Sequence, residues 1–289
     1  MVTQVQPKDK TVTVNGLKLH YLDWGAEGSP AMVLLHGLTG HARIWDHMAP
    51  SLARSYHLFA LDQRGHGDTS HTATYGTQDF VDDLEAMRRH WDLERFVLMG
   101  LSMGGHNAMA YAAQHRSRVE RLIIIDIPPA FDMRRTPDRA KMEELAKNGH
   151  RAFASLEDAI ADARSGNVTA PEANLRYRTM CNVREAPGGL IFKYDPKVPA
   201  TWQPDDLWPI VGLLAMPSLL VRGGLPGALP RSAADRMVAS FPRLDLAEVP
   251  DSGHSVPTDR PERLAPIVLE WLARYSGALP EEEFRAPTR

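Results

Sequence analysis

Gly100-Leu101-Ser102-Met103-Gly104 follows the apolar run Phe96 to Met99 and opens a stretch of helix formers, Ala108 to Ala113. A serine on a sharp strand-to-helix turn is held in a strained backbone conformation, so the residues two before and two after must be small to avoid clashes. The turn aims the hydroxyl away from the sheet, and the helix N-terminus presents free N–H groups to an oxyanion. This arrangement suits nucleophilic attack by Ser102. A plain helix N-cap at Ser102 would require neither glycine.

A serine hydroxyl is a poor nucleophile at neutral pH and needs a base within hydrogen-bond reach. Among 12 histidines, His254 stands out in Asp251-Ser252-Gly253-His254-Ser255, after the last apolar strand and before the last amphipathic helix. It is therefore expected at a strand's C-terminal end, the edge where open α/β sheets form their sites. His90 and His115 fall at or near helix ends and His57 begins a strand, whereas His36 and His66 follow strands at that same edge. His36 is accordingly kept as a substrate-binding candidate. No histidine pair has metal-ligand spacing, so no metal site is expected.

His36-Gly37-Leu38-Thr39-Gly40 also lies just beyond a strand. Its glycines allow a backbone N–H to approach the nucleophile, and Leu38 is the expected donor. With the Met103 N–H it would form a two-donor oxyanion hole, worth about 3 kcal/mol of transition-state stabilisation per donor. The alternative is a tight turn that needs glycine for its backbone alone.

These residues require a sheet whose strands end together. Short apolar runs, Ala31 to Leu35, His57 to Leu61, Phe96 to Gly100, Arg121 to Ile125, Pro217 to Arg222 and Leu244 to Val249, alternate with segments of helical period. That alternation is the signature of a mostly parallel sheet covered on both faces. Ahead of it, Thr11 to Val14 and Leu17 to Asp23 flank Asn15-Gly16, a hairpin signal. Phe80, Leu84, Met87 and Trp91, and Leu264, Ile267, Val268, Trp271, Leu272 and Tyr275, recur at helical spacing and are expected to pack on the sheet.

The rhythm breaks from Pro128 to Trp208, where charged helical segments precede the broken run Ala186-Pro187-Gly188-Gly189. So long an interruption suits a small lid better than a loop. The expected organisation is a core of residues 1–128 and 209–279, a cap of 129–208 and a frayed tail of 280–289. Within the cap, Phe192, Tyr194, Trp202 and Trp208 are candidate pocket walls. Packing within the cap or against the sheet is the competing role for each.

With 33 basic and 36 acidic side chains the net charge is −3, which leaves no electrostatic footprint for nucleic acid or an anionic membrane. The longest stretch free of Asp, Glu, Lys and Arg, Phe96 to His115, holds three glycines, Ser102, His106 and Asn107, so no membrane span is expected. The single cysteine, Cys181, excludes an internal disulfide framework and a cysteine zinc cluster. MVTQVQPKDK lacks a signal-like apolar stretch, and a cytoplasmic location is expected.

HGLTG at His36 to Gly40, DQRGHG at Asp62 to Gly67, GLSMGG at Gly100 to Gly105 and DSGH at Asp251 to His254, together with the N-terminal hairpin, resemble the α/β-hydrolase superfamily over nearly the whole chain. The resemblance implies the α/β-hydrolase fold: an eight-stranded, mostly parallel sheet flanked by helices, with a helical cap inserted after the sixth strand, and no cofactor. Serine at position 102, where epoxide hydrolases and haloalkane dehalogenases carry aspartate, implies acyl transfer.

One position departs from the family pattern. Members usually carry the acid of the triad after the seventh strand, where this chain reads Arg222-Gly223-Gly224-Leu225-Pro226-Gly227, and Met216 to Arg231 contains no Asp or Glu. Asp126, ending the run Leu122 to Ile125, is the expected replacement, as in members whose acid follows the sixth strand. The expected function is a serine hydrolase acting through Ser102, His254 and Asp126 on small to medium carboxylic esters. A carbon–carbon hydrolase, lactonase or perhydrolase, and a ligand-binding protein without turnover, are the alternatives. The oligomeric state is not encoded legibly.

Overall fold

A computed structural model describes residues 6–226 and 229–275. The expected tail at 280–289 and Gly227 lie outside the described residues. The N-terminal strands are β1 (Lys8–Val14), β2 (Leu17–Asp23), β3 (Ala31–Leu35) and β4 (His57–Leu61), with the short helix α1 (Ala49–Leu52) between the last two. Then follow α2 (Thr77–His90), β5 (Phe96–Leu101), α3 (Met103–Gln114) and β6 (Val119–Ile125). The next segment holds α4 (Arg139–Asn148), α5 (Leu156–Gly166), α6 (Glu172–Cys181), β7 (Val183–Ala186), β8 (Gly189–Phe192) and α7 (Val198–Thr201). The chain returns to the sheet with β9 (Ser218–Gly223), α8 (Arg231–Ser240), β10 (Leu244–Val249), α9 (Val256–Asp259) and α10 (Pro261–Arg274).

One eight-stranded sheet has the order β1-β2-β4-β3-β5-β6-β9-β10, antiparallel at β1·β2 and β2·β4 and parallel elsewhere. Strand side chains alternate between faces. Val33, Leu35, Leu98 and Ile124 therefore join α2, α3 and α8 in one apolar layer, while Met32, Leu34, Met99 and Ile125 join α1 and α10 in the other. Each fully buried Leu, Ile or Val contributes about 1.5–3 kcal/mol. Among the described residues no helix is long and apolar enough to cross a membrane.

The segment between β6 and β9 is not wholly helical, in contrast to the expectation. Ala186-Pro187-Gly188-Gly189 is the turn of the β7–β8 hairpin, in which Ala186 pairs with Gly189. Proline fixes φ at the second turn position, and Gly188 supplies the positive φ of 89° that the third requires.

Four histidines, His36, His41, His66 and His106, are at most 2% exposed. Burial lowers their pKa from about 6.5 to about 3 for His36 and about 4 for the others. A depressed histidine gives stability that is present above the unfolded pKa and lost as pH falls from about 6.5 toward the folded value. Each adds a slope of about 1.4 kcal/mol per pH unit inside that window. Hydrogen bonding to Asp62, against a desolvation penalty, raises the pKa of His20 and so works in the opposite direction, but only as pH rises. We expect the melting temperature to begin falling below pH 6.5, before carboxylates titrate. A thermal-melt series from pH 8 to 4 that stays flat down to pH 4.5 would contradict this.

Candidate active site

Ser102 sits between β5 and α3 with φ 52° and ψ −120°, in the left-handed half of backbone space that side chains rarely occupy. The flanking glycines explain how the turn closes. A Cβ at Gly100 would lie 2.3 Å from the Gly104 carbonyl oxygen, and one at Gly104 would lie 2.3 Å from the Leu35 carbonyl oxygen. Both approaches are impossible for any other residue, so the two glycines are required by packing of the turn on itself and on β3.

The loop after β3 lies directly against the serine, since a Cβ on Gly37 would be 3.2 Å from Ser102 Cβ. A turn closed by Gly40 N–H donating to the Gly37 oxygen at 3.0 Å carries Leu38 and Thr39, the latter at φ 59°. Neither the Leu38 nor the Met103 amide has an acceptor among the described residues. Met103 follows Ser102 directly in the chain, and Leu38 lines the same cavity as Ser102.

His36 lies behind this loop and outside the cavity lining, which corrects its expected role in substrate binding. It is fully buried; its Nε2 accepts from the Gln63 N–H at 3.0 Å and its Nδ1–H donates to the Gly37 oxygen at 2.8 Å. Gln63 in turn donates to the His36 oxygen at 2.7 Å and accepts from Asn107 Nδ2 at 2.9 Å, which ties the loop to α3. DQRGHG has a similar structural role. Asp62 accepts from the Ala42 N–H at 2.6 Å, the Asp68 N–H at 2.9 Å and His20 at 2.7 Å. His20, Asp62 and Asp68 are close enough together to hold a cation. Those bonds, however, already occupy both Asp62 oxygens.

Asp126 and His254 meet across the end of β9. His254 Nδ1 lies 2.7 Å from Asp126 Oδ2; a carboxylate only accepts, so Nδ1 carries the proton and Nε2 is left as the basic nitrogen. Asp126 Oδ1 accepts from the Gly223 N–H at 3.0 Å, and the Asp126 N–H donates to the Val221 oxygen at 2.8 Å. The Asp126 backbone has φ 50°, a conformation aspartate tolerates better than most residues. With its side chain 1% exposed and both oxygens bonded, the carboxylate is held rigidly beneath the imidazole.

Gly223, the last residue of β9, makes this crossing possible. A Cβ at Gly223 would fall 2.2 Å from the Gly253 oxygen, so the histidine loop rests on bare backbone there. Asp259 clamps the same loop, accepting from the Gly253 N–H at 2.8 Å, Thr169 Oγ1 at 2.6 Å and Asn167 Nδ2 at 3.0 Å.

Ser102 and His254 share the wall of a cavity of about 480 Å³ whose other walls include Leu38, Ile127, Phe131, Met133 and Trp202. A second, more polar cavity of about 410 Å³ adjoins it through Leu38, Asp138, Arg178, His254 and Ser255. Phe192 and Tyr194, stacked with centroids 5.7 Å apart, line that second cavity. Of the four expected aromatic walls, Trp208 is the one outside both. Its ring lies under the Arg236 guanidinium at 3.6 Å and packs against the core layer of α3 and α8. Arg178, Phe131 and Met133 were not anticipated, because in sequence they are ordinary members of a charged, irregular stretch.

A family description, alpha/beta hydrolase fold, matches residues 30–261. N-formylmaleamate deformylase from Pseudomonas putida is 28% identical over 254 residues, covering 86% of this chain and 90% of that protein. The pimeloyl-[acyl-carrier protein] methyl ester esterase of Nitrosomonas europaea is 26% identical over 241 residues, covering 81% and 92%. The crystal structure of E-2-(acetamidomethylene)succinate hydrolase superimposes with a TM-score of 0.82 over 93% of this chain and 100% of that one, at 23% identity.

Proposed function

The chain belongs to the alpha/beta hydrolase fold family, and from that premise we propose that it is a serine hydrolase of small to medium carboxylic esters, working through an acyl-enzyme on Ser102. The observation that carries this reading is the 2.7 Å His254–Asp126 hydrogen bond in the wall of the cavity that also holds Ser102. His254 Nε2 takes the Ser102 hydroxyl proton as Oγ attacks the ester carbonyl carbon. The N–H groups of Leu38 and Met103 receive the resulting oxyanion. The alcohol leaves with the proton returned by His254, and water activated by the same nitrogen then releases the carboxylic acid and frees the serine. Asp126 holds the Nδ1 proton and stabilises the imidazolium. No step calls for a metal or an organic cofactor.

The relative named as a methyl ester esterase supports ester cleavage. The relative named N-formylmaleamate deformylase favours a second reading, in which the same acyl-enzyme forms from an acyl group on nitrogen. Residues 129–208 serve in this proposal as a cap, since Phe131, Met133 and Trp202 roof the apolar cavity. A roofed chamber of about 480 Å³ admits short soluble esters and excludes bulky lipids. We therefore expect p-nitrophenyl acetate and butyrate to be hydrolysed, triolein to be cleaved more slowly than either, and a fluorophosphonate probe to label the protein. No hydrolysis and no labelling would overturn the proposal; faster cleavage of triolein would overturn the role of the cap.

A further inference from the structure

Arg178, on the last turn of α6, lies where the apolar and polar cavities meet and, like His254, lines both. Other arginines of the same region are paired: Arg176 with Glu157 at 2.8 Å, Arg164 with Glu172 at 2.7 Å and Arg139 with Glu143 at 2.7 Å. Arg178 differs from them. Its backbone oxygen accepts from His41 Nε2 at 3.0 Å, but its guanidinium makes no hydrogen bond or ion pair among the described residues. Burial lowers its pKa, and only the more distant charge of Asp259 offsets this. The Asp259 carboxylate is itself already used by Asn167, Thr169 and Gly253.

A guanidinium has five N–H donors in a planar fork. Arg178 is half-buried and lines both cavities, so its donors are open to acceptors that a ligand brings into them. Two further polar groups of the same chamber are also unsatisfied: Thr179 Oγ1 and Asn182 Oδ1, on residues 2% and 5% exposed. The exposed Asp138 and Asp162 at the rim add negative charge. Lys141 stands 3.3 Å from Asp138, and water screens both carboxylates far more than it screens Arg178.

We propose that Arg178 recognises a carboxylate on the substrate, so that the enzyme prefers acyl compounds carrying an acidic group over their neutral counterparts. The planar fork matches a carboxylate through two parallel N–H···O bonds. A single such cation balances one negative charge, which favours a carboxylate over a phosphate dianion. The inference deepens the ester-hydrolase reading and depends on it for the assignment of these cavities to substrate.

The test compares mono-4-nitrophenyl glutarate with 4-nitrophenyl valerate, and 4-acetoxybenzoate with phenyl acetate, placing the carboxylate on the acyl side and on the alcohol side. We expect at least one anionic ester to exceed its neutral partner about tenfold or more in kcat/KM, the range of a charge-assisted hydrogen bond. That ratio should fall to near one in Arg178→Gln, through KM, and recover in part in Arg178→Lys. No anionic preference in the unmodified enzyme, or a preference that survives Arg178→Gln, would overturn the role of Arg178 while fluorophosphonate labelling still upheld the hydrolase reading. If neither labelling nor hydrolysis occurs, the hydrolase reading fails, and calorimetry with glutarate decides Arg178 separately. Binding weakened about tenfold in Arg178→Gln supports it; no binding, or equal binding, overturns it.

Discussion

Ser102→Ala is expected to lower turnover of p-nitrophenyl butyrate by about 10⁶-fold, the loss seen when the serine of a triad is removed, and to abolish fluorophosphonate labelling. In the proposed mechanism, removing the hydroxyl deletes the atom that forms the acyl bond, and neither chain neighbour of Ser102 offers a substitute. Leu101 and Met103 are apolar, and Cys181 does not line the serine's cavity. On the proposed mechanism, what remains is stabilisation by the Leu38 and Met103 amides, the residual catalysis a triad-less site retains. The fold should be unaffected. No hydrogen bond of the Ser102 hydroxyl to other described residues supports the turn, and alanine meets the same φ of 52° with the same Cβ. Its melting temperature should therefore match the unmodified enzyme while activity is lost. Hydrolysis above a hundredth of the original rate would remove Ser102 from the mechanism.

Asp126→Asn is expected to lower turnover by about 10⁴-fold, the cost of the corresponding change in a serine protease. Asparagine has the same shape, and its Oδ1 can still accept from the Gly223 N–H that lies 3.0 Å from Asp126 Oδ1. The opposite side of the group changes sense. Where Oδ2 accepts from His254 Nδ1 at 2.7 Å, an amide NH₂ donates, which moves the ring proton to Nε2 and leaves no lone pair facing Ser102. The variant should fold, bind substrate and fail in the proton transfer, so kcat falls far more than KM rises. A variant retaining more than a tenth of the original turnover would show that the acid acts elsewhere. Its slower labelling by a fluorophosphonate would also separate this role from a merely structural one, since labelling requires His254 to take the serine proton.

Ser102 and His254 are legible because each sits in a short segment whose backbone demands are local. Gly100 and Gly104 must be bare to let the elbow close, and Gly253 must be small under Thr169, so the requirement is written beside the reactive residue. Asp126 is legible only by comparison with a family pattern and by the lack of any carboxylate from Met216 to Arg231. Its partnership with His254 spans 128 positions of sequence and passes over Gly223, a contact that no local pattern encodes. The strand runs Ala31 to Leu35 and His57 to Leu61 match their observed bounds because buried parallel strands read as near-continuous apolar runs; Leu244 to Val249 matches as well, although it is an edge strand that carries Asp245 and Glu248.

Residues 129–208 are where sequence patterns lose their force. Trp202 and Trp208 are equally aromatic and six positions apart, yet one roofs the serine's cavity and the other lies under Arg236. His36 has the reach and position of a pocket residue, and the bonds to Gln63 and Gly37 turn it into a support behind the loop. Arg178 reads as one of 33 basic residues and is set apart by lining both cavities with no side-chain partner among the described residues, the Asp259 carboxylate being engaged by Asn167, Thr169 and Gly253. By itself the sequence determined the alternating fold, the strained serine turn and the histidine loop, since periodicity and glycine placement are properties of neighbouring residues. The tertiary structure alone decided which carboxylate meets His254, which aromatics face the cavity and which cation of the cavity wall has no side-chain partner among the described residues. Those are properties of side chains brought together from distant positions, where burial and partnership are set by the packing of whole elements.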